Sequence, residues 1–185
     1  MMNILGISGS LHKESKNTAL LRAASRMFPS TVDFEEVSIE LPLYTGNEER
    51  GQLPDSVYAL SGKVREADAL FITTPEYNWS MTTAMKNFID WMSLGGSNAP
   101  INNHVVALAG VGGGRLGSVR AQMAIRSSLL HNKVWVVPGP EVLIAPSDDL
   151  FDDKGDLTDD FANKLLQQLI GTLVEVAPQL RNLNA

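Results

Sequence analysis

The chain has 185 residues, 44% of them apolar and 19% charged, with 15 glycines and 9 prolines, a balance that describes one globular domain and excludes disordered, collagen-like and coiled-coil chains. Lys and Arg number 15 against 21 Asp and Glu, leaving a net charge of −6 that disfavours nucleic acid or an anionic membrane surface as the main partner. With no cysteine present, disulfides, thiolate nucleophiles, iron–sulfur clusters and Cys-ligated zinc are excluded, so any redox chemistry must come from a bound cofactor.

Short apolar runs alternate with longer amphipathic stretches, the rhythm of βα units around a parallel sheet. Met1 to Ile7 has no basic leader and no stretch reaches transmembrane length, so a cytoplasmic protein is expected. Ile4 to Ile7 reads as the first strand. A polar loop leads to a helix over Thr18 to Phe28, whose Leu20, Leu21, Ala24, Met27 and Phe28 share one face and which Pro29 ends. Phe34 to Ile39 is the second strand, and Leu41-Pro42-Leu43-Tyr44 opens a long loop to a helix over Ser56 to Glu66. Ala69 to Thr73 is apolar enough to be a central third strand. A loop after Pro75 leads to a helix over Thr82 to Met92, closed by Gly95-Gly96. His104 to Ala109 is the fourth strand, followed by a glycine-rich turn and a helix over Ser118 to His131. Val134 to Val137 and Val142 to Ile144 form a fifth strand split by Pro138-Gly139-Pro140. The acidic stretch Asp148 to Asp160 reads as a solvated loop, and the last helix runs over Phe161 to Ala177.

In either doubly wound order such units allow, ligands sit outside the carboxyl ends of the strands, so the loops after the first, third and fourth strands matter most. The first, Gly9 to Asn17, opens onto a helix N-terminus, where free N–H groups and the dipole favour an anion, and Ser10, Ser15 and Asn17 add donors. Helix capping by Ser15 or Asn17 is the competing reading. The P-loop spacing is absent, so nucleoside triphosphate hydrolysis has no support. In the third loop, Thr74-Pro75-Glu76-Tyr77-Asn78-Trp79-Ser80, the proline keeps the chain extended past the strand and turns backbone groups into the crevice, which suits a flat heterocycle. Phe88, Trp91 and Met92 recur at helical spacing and read as core.

Gly112 to Gly117 spells a G-x-G-x-x-G, but after the fourth strand rather than the first. These glycines read better as letting backbone approach a flat ligand than as a dinucleotide fingerprint. His12, His104 and His131 have no metal-ligand spacing, and no nucleophile elbow occurs. No metal and no hydrolase chemistry are expected.

Several segments resemble the NADPH-dependent FMN reductase family, flavodoxin-like flavoproteins that include quinone, chromate and azo-dye reductases. They are Gly9 to Asn17, Leu41 to Tyr44, Thr74 to Asn78 with Ser80, Lys86-Asn87 with Asp90-Trp91, and Arg120-Ala121-Gln122 with Arg126. The resemblance covers nearly the whole chain, and its most specific part is P-E-Y-N-x-S followed by K-N-x-x-D-W. It implies a single flavodoxin-like FMN-binding domain over residues 1–185, α/β, with a five-stranded parallel sheet of order 2-1-3-4-5 and helices on both faces. It implies FMN with its phosphate at Ser10, Ser15 and Asn17, its ring edge against Pro75, Glu76, Tyr77 and Asn78, with Ser80 in the same segment, and Gly112 and Gly113 facing the ring. His12 stands where the family usually has an arginine that helps hold the phosphate, and Trp79 where it often has glycine or tyrosine. The implied function is hydride transfer from NADPH or NADH through FMN to a small-molecule acceptor, with no protein group needed as a titrating base. The alternative is a one-electron FMN carrier or a non-catalytic FMN-binding module. A homodimer or homotetramer is implied, with Met81, Met85, Arg120, Met123 and Arg126 at the contact.

Overall fold

A computed structural model describes residues 1–48, 52–146 and 148–183. Its strands, in chain order, are β1 (Met2–Ser8), β2 (Val32–Val37), β3 (Ala69–Thr73), β4 (Val105–Val111), β5 (Trp135–Val136) and β6 (Val142–Ile144). All pair in parallel in one sheet of order β2-β1-β3-β4-β5, with β6 also on β4. This is the expected 2-1-3-4-5 order with its fifth position in two pieces. β5 lies beside Val105 and Val106, and β6 beside Ala109 to Val111. Between them, Pro138 and Pro140 supply no N–H for a ladder.

The helices are α1 (Lys16–Ser25), α2 (Asp55–Glu66), α3 (Thr83–Met92), α4 (Val119–Leu129) and α5 (Asp160–Leu183). They divide because alternate strand residues face opposite ways. Ile4, Phe71 and Ala107 pack with Leu20 and Leu21 of α1 and Leu166, Leu169 and Leu173 of α5. Leu5, Leu70, Ile72 and Leu108 pack with Val57 of α2, Phe88 and Trp91 of α3 and Ile125 of α4. Phe88, Trp91 and Met92 are core, as their spacing predicts. β1 is flanked by β2 and β3, and α1 and α3 leave β1 and β3 toward opposite faces. That divergence opens a crevice at their carboxyl ends.

Four expectations need correction. α1 stops at Ser25 instead of Phe28, with Met27 closing a turn on the Ala24 carbonyl ahead of Pro29. α4 gives way to a 3₁₀ turn at Leu130–Asn132, short of His131. α5 runs through Pro178 instead of ending at Ala177. Residues 148–160 are not simply solvated. Phe151 and Leu157 pair as an antiparallel bridge, the Asp152 carboxylate accepts from the N–H groups of Lys154 and Asp156, and Leu150 and Leu157 are buried. Asp159 then caps α5, accepting from Ala162 N–H. Among the described residues, no helix is long and apolar enough to cross a membrane.

Candidate functional site: three loops at the carboxyl ends of β1, β3 and β4

The loop between β1 and α1 is organised by its own polar side chains. Ser15 is the N-cap of α1, its Oγ accepting from the N–H groups of Asn17 and Thr18 at 3.2 and 3.3 Å. Ser10 Oγ accepts from His12 N–H, and His12 Nδ1 from Glu14 N–H. Each serine keeps its hydroxyl proton to donate, and the N–H groups of Leu11, Lys13 and Ser15 make no hydrogen bond to the described residues. Hydroxyls and amides converging on a helix N-terminus form a donor set suited to a phosphate. The exposed His12 ring, with Nδ1 engaged as an acceptor, has Nε2–H left to donate outward.

Asn17 is placed differently from its expected role as a phosphate donor. It is 3% exposed, its Nδ2 donates to the Val111 carbonyl and its Oδ1 accepts from the Val111 N–H, both at 2.9 Å. With its oxygen and one of its two amide hydrogens bonded to Val111, Asn17 ties α1 to the end of β4. Two threonines extend the brace. Thr73 Oγ1 donates to the Asn17 carbonyl at 2.8 Å, and Thr82 Oγ1 donates to the Gly9 carbonyl at 2.6 Å while accepting from Met85 N–H. Both threonines are buried. Three loops from distant parts of the chain are thus held in fixed relation by interior hydrogen bonds.

In the loop after β3, Pro75 is buried and Tyr77 and Ser80 exchange two main-chain hydrogen bonds at 2.9 and 3.0 Å. The N–H groups of Glu76 and Asn78 make no hydrogen bond to the described residues. The Glu76 side chain is engaged with α4, which leaves its main-chain N–H as the group that can meet a ring edge. One carboxylate oxygen accepts from Arg120 N–H and the other from Arg120 Nη1, each at 2.8 Å. Ser118, the N-cap residue of α4, makes no capping bond of its own. Glu76 therefore caps α4 across the crevice, where a negative charge also meets the positive end of the helix. Burial alone would push its carboxyl up, but the Arg120 hydrogen bonds and charge outweigh burial and hold it below the usual carboxylate range. Ser80 lines a groove between α3 and α4, with Met81, Lys86 and Ser127.

In the loop after β4, a Cβ on Gly112 would lie 1.8 Å from the Gly117 carbonyl oxygen, so the turn's own packing requires glycine there. Gly113 has open space around its Cβ position, as a residue facing a flat ligand needs.

The specific sequence pattern also acquires a structural explanation. Asn87 Oδ1 accepts from Tyr44 N–H, its Nδ2 donates to the carbonyls of Leu41 and Pro42, and Trp91 Nε1 donates to Pro42. The Tyr44 ring meets Trp91 edge-on at 5.0 Å. K-N-x-x-D-W is thus a clamp on the loop at residues 41–44, with Lys86 paired to Asp90 on the outside. Gln122 and Arg126 similarly hold the split fifth strand, donating to the carbonyls of Val142 and Val137. Thr73, Thr82, Asn87 and Arg120 escape a search for ligand-binding residues because their partners are main-chain groups or side chains far away in sequence.

The profile of the NADPH-dependent FMN reductase family matches residues 2–149. An NAD(P)H-dependent FMN reductase of Pseudomonas aeruginosa is 38% identical over 173 residues, covering 93% of each chain. An NAD(P)H:quinone oxidoreductase of Solanum tuberosum is 32% identical over 191 residues, covering 98% of this chain and 95% of the relative. Among solved structures, the flavoenzyme NAD(P)H:(acceptor) oxidoreductase FerB of Paracoccus denitrificans superposes with a TM-score of 0.88 at 27% identity, over 97% of this chain and 98% of that one. An archaeal flavodoxin, at 15% identity and a TM-score of 0.57 over 97% and 99% of the two chains, shares the fold.

Proposed function

The chain belongs to the NADPH-dependent FMN reductase family and is an FMN-dependent NAD(P)H oxidoreductase, and on that footing we propose where FMN lies and which acceptor class it serves. The phosphate is held at the loop from Ser10 to Ser15, by two serine hydroxyls and the N–H groups of Leu11, Lys13 and Ser15, with His12 Nε2–H beside them. The ring lies against Pro75, Tyr77 and Asn78, with Gly113 opposite. The observation that carries this placement is the convergence of unengaged donors on three loops that Asn17, Thr73 and Thr82 brace from behind. A site whose donors are fixed before the ligand arrives loses little to ordering when it binds.

When bound, FMN supplies the two-electron relay between NAD(P)H and the acceptor. The chain fixes the ring, presents main-chain N–H groups from Glu76 and Asn78 to its polar edge, and leaves one face open to the two substrates in turn. The acceptors are quinones, the substrate class named for relatives that match most of this chain. NADPH contributes a hydride, solvent contributes a proton, and the quinone leaves as hydroquinone. The reading keeps the single FMN-binding domain and the cytoplasmic location expected from the sequence.

Two charge-assisted hydrogen bonds at about 1.5 kcal/mol each correspond to about 150-fold in affinity. Ser10→Ala combined with Ser15→Ala should therefore weaken FMN by roughly that factor in a fluorescence titration of the apoprotein. In the parent, NADPH should bleach the visible flavin band anaerobically and a quinone should restore it. An unchanged FMN affinity in the double variant would remove the placement, and a flavin that NADPH reduces but quinones leave reduced would remove the acceptor class.

The assembly expected from the family resemblance is a homodimer or homotetramer, and here its surface is redrawn. Met85 is fully buried and Arg126 is tied to the Val137 carbonyl, whereas Leu116, Met123 and Leu130, seven residues apart, are 57%, 64% and 73% exposed along α4 and its flanks. Exposed apolar side chains on a helix and its flanks invite a second copy. Light scattering at micromolar concentration should give a multiple of the chain mass, and Met123→Glu should shift it toward the monomer. A monomeric parent refutes the assembly.

A further inference from the structure

We propose that Trp79 is a stacking platform for flat aromatic electron acceptors at the rim of the crevice, and so a residue that determines acceptor specificity. The inference rests on the FMN placement proposed above. Two residues, Asn78 and Trp79, join the reciprocally bonded Tyr77 and Ser80, and both have left-handed backbone, with φ of 48° and 66°. A two-residue turn of this kind favours Asn-Gly. Asn78 suits its position. Trp79 occupies the one that glycine takes at no steric cost.

The indole is 76% exposed, whereas Trp91 is buried at 1%. It is nonetheless not loose. The Arg120 guanidinium lies over one face of the ring, 4.4 Å from its centroid, and Arg120 is itself fixed by Glu76. One face of the indole is therefore gripped and the other presented to solvent, next to the residue proposed to meet the flavin. Two local preferences are broken at one position, for a small residue in left-handed backbone and for burial of a large ring. Such conflicts concentrate at functional sites. An electron-rich indole held still offers an electron-poor fused ring an offset stacking partner with its ordering cost already met. Tyr77, 52% exposed in the same turn, widens the aromatic rim.

The test uses the FMN-loaded protein with Trp79→Gly and Trp79→Phe. Binding of redox-inert naphthalene sulfonate is followed by calorimetry, and the ratio of kcat/KM for menadione to that for ferricyanide is measured. With glycine both the affinity and the ratio should fall about five- to tenfold, the range of one aromatic stacking contact, whereas phenylalanine should retain most of each. Trp79→Gly should melt no lower than the parent, because glycine suits the turn. A lower affinity in a variant that is no less stable is an outcome a merely structural tryptophan would not produce. An unchanged affinity and ratio with FMN bound as in the parent overturns the proposal. So does a change of oligomer mass without a change of ratio, which would make the ring a subunit contact. If Trp79→Gly loses FMN, the ring supports the cofactor and the acceptor assignment is overturned, whereas failure of the parent to bind FMN would overturn the reading beneath it.

Discussion

Asn17→Leu should destabilise the fold by about 3 kcal/mol or more, the largest loss expected from any polar side chain around the crevice. The leucine has the same branched skeleton and is larger, so the cost is not a cavity. It is the stranding of the Val111 N–H and carbonyl, both of which Asn17 satisfies inside the protein, and a buried backbone group without a partner costs about 1–3 kcal/mol. For a chain of this length the melting temperature should fall by about 6–12 °C. FMN affinity should fall with it, because the same residue fixes the end of the phosphate loop relative to β4. Thermal melts with and without added FMN would check both. A loss below about 1 kcal/mol would mean that water or a main-chain shift replaces the amide, and that the brace is weaker than its geometry indicates.

Glu76→Gln should cost about 2 kcal/mol near neutral pH, within the range for a charge-assisted hydrogen bond, and about 4–8 °C in melting temperature. The glutamine can still accept one hydrogen bond from Arg120, but it loses the charge that pairs with the guanidinium and faces the N-terminus of α4. The pH dependence follows from the direction of the shift. The folded carboxyl is held below its ordinary range by Arg120, so its contribution is complete above the unfolded value of about 4.3. It is then lost as pH falls through the lower folded value. Parent and variant should therefore differ most at neutral pH and converge in acid. A gap that stays constant from pH 7 down to about 2.5 would mean that the charge of Glu76 contributes nothing to the fold.

Neither residue's structural role was legible in the sequence. Asn17 lies 94 positions from Val111 and Glu76 lies 44 from Arg120, and no local pattern reports a partner at that distance. The family resemblance placed both at the cofactor, and the chemistry of the first loop offered Asn17 either as a phosphate donor or as a helix cap. The sheet was far more legible. Every residue of β3 is buried, so its run from Ala69 to Thr73 stands out without help from the rest of the fold. The split of the fifth strand was legible as well, because two prolines cannot contribute N–H groups to a ladder. The bridge between Phe151 and Leu157 was not, since its two apolar anchors, Leu150 and Leu157, sit among aspartates that mark solvent.

The broken fifth position also bears on how copies of the chain meet. A long, straight, unpaired strand at the border of a sheet is a template on which another chain can add its own backbone, and proteins that stay in solution blunt such borders. Here one border consists of pieces of two and three residues, too short to template a neighbour. The other, β2, carries Asp33, Glu35 and Glu36, the last two paired with Lys63 and Arg22. Strand addition is thereby discouraged at both ends, which leaves the helical faces as the surfaces through which ordered association can proceed without risk of fibril growth.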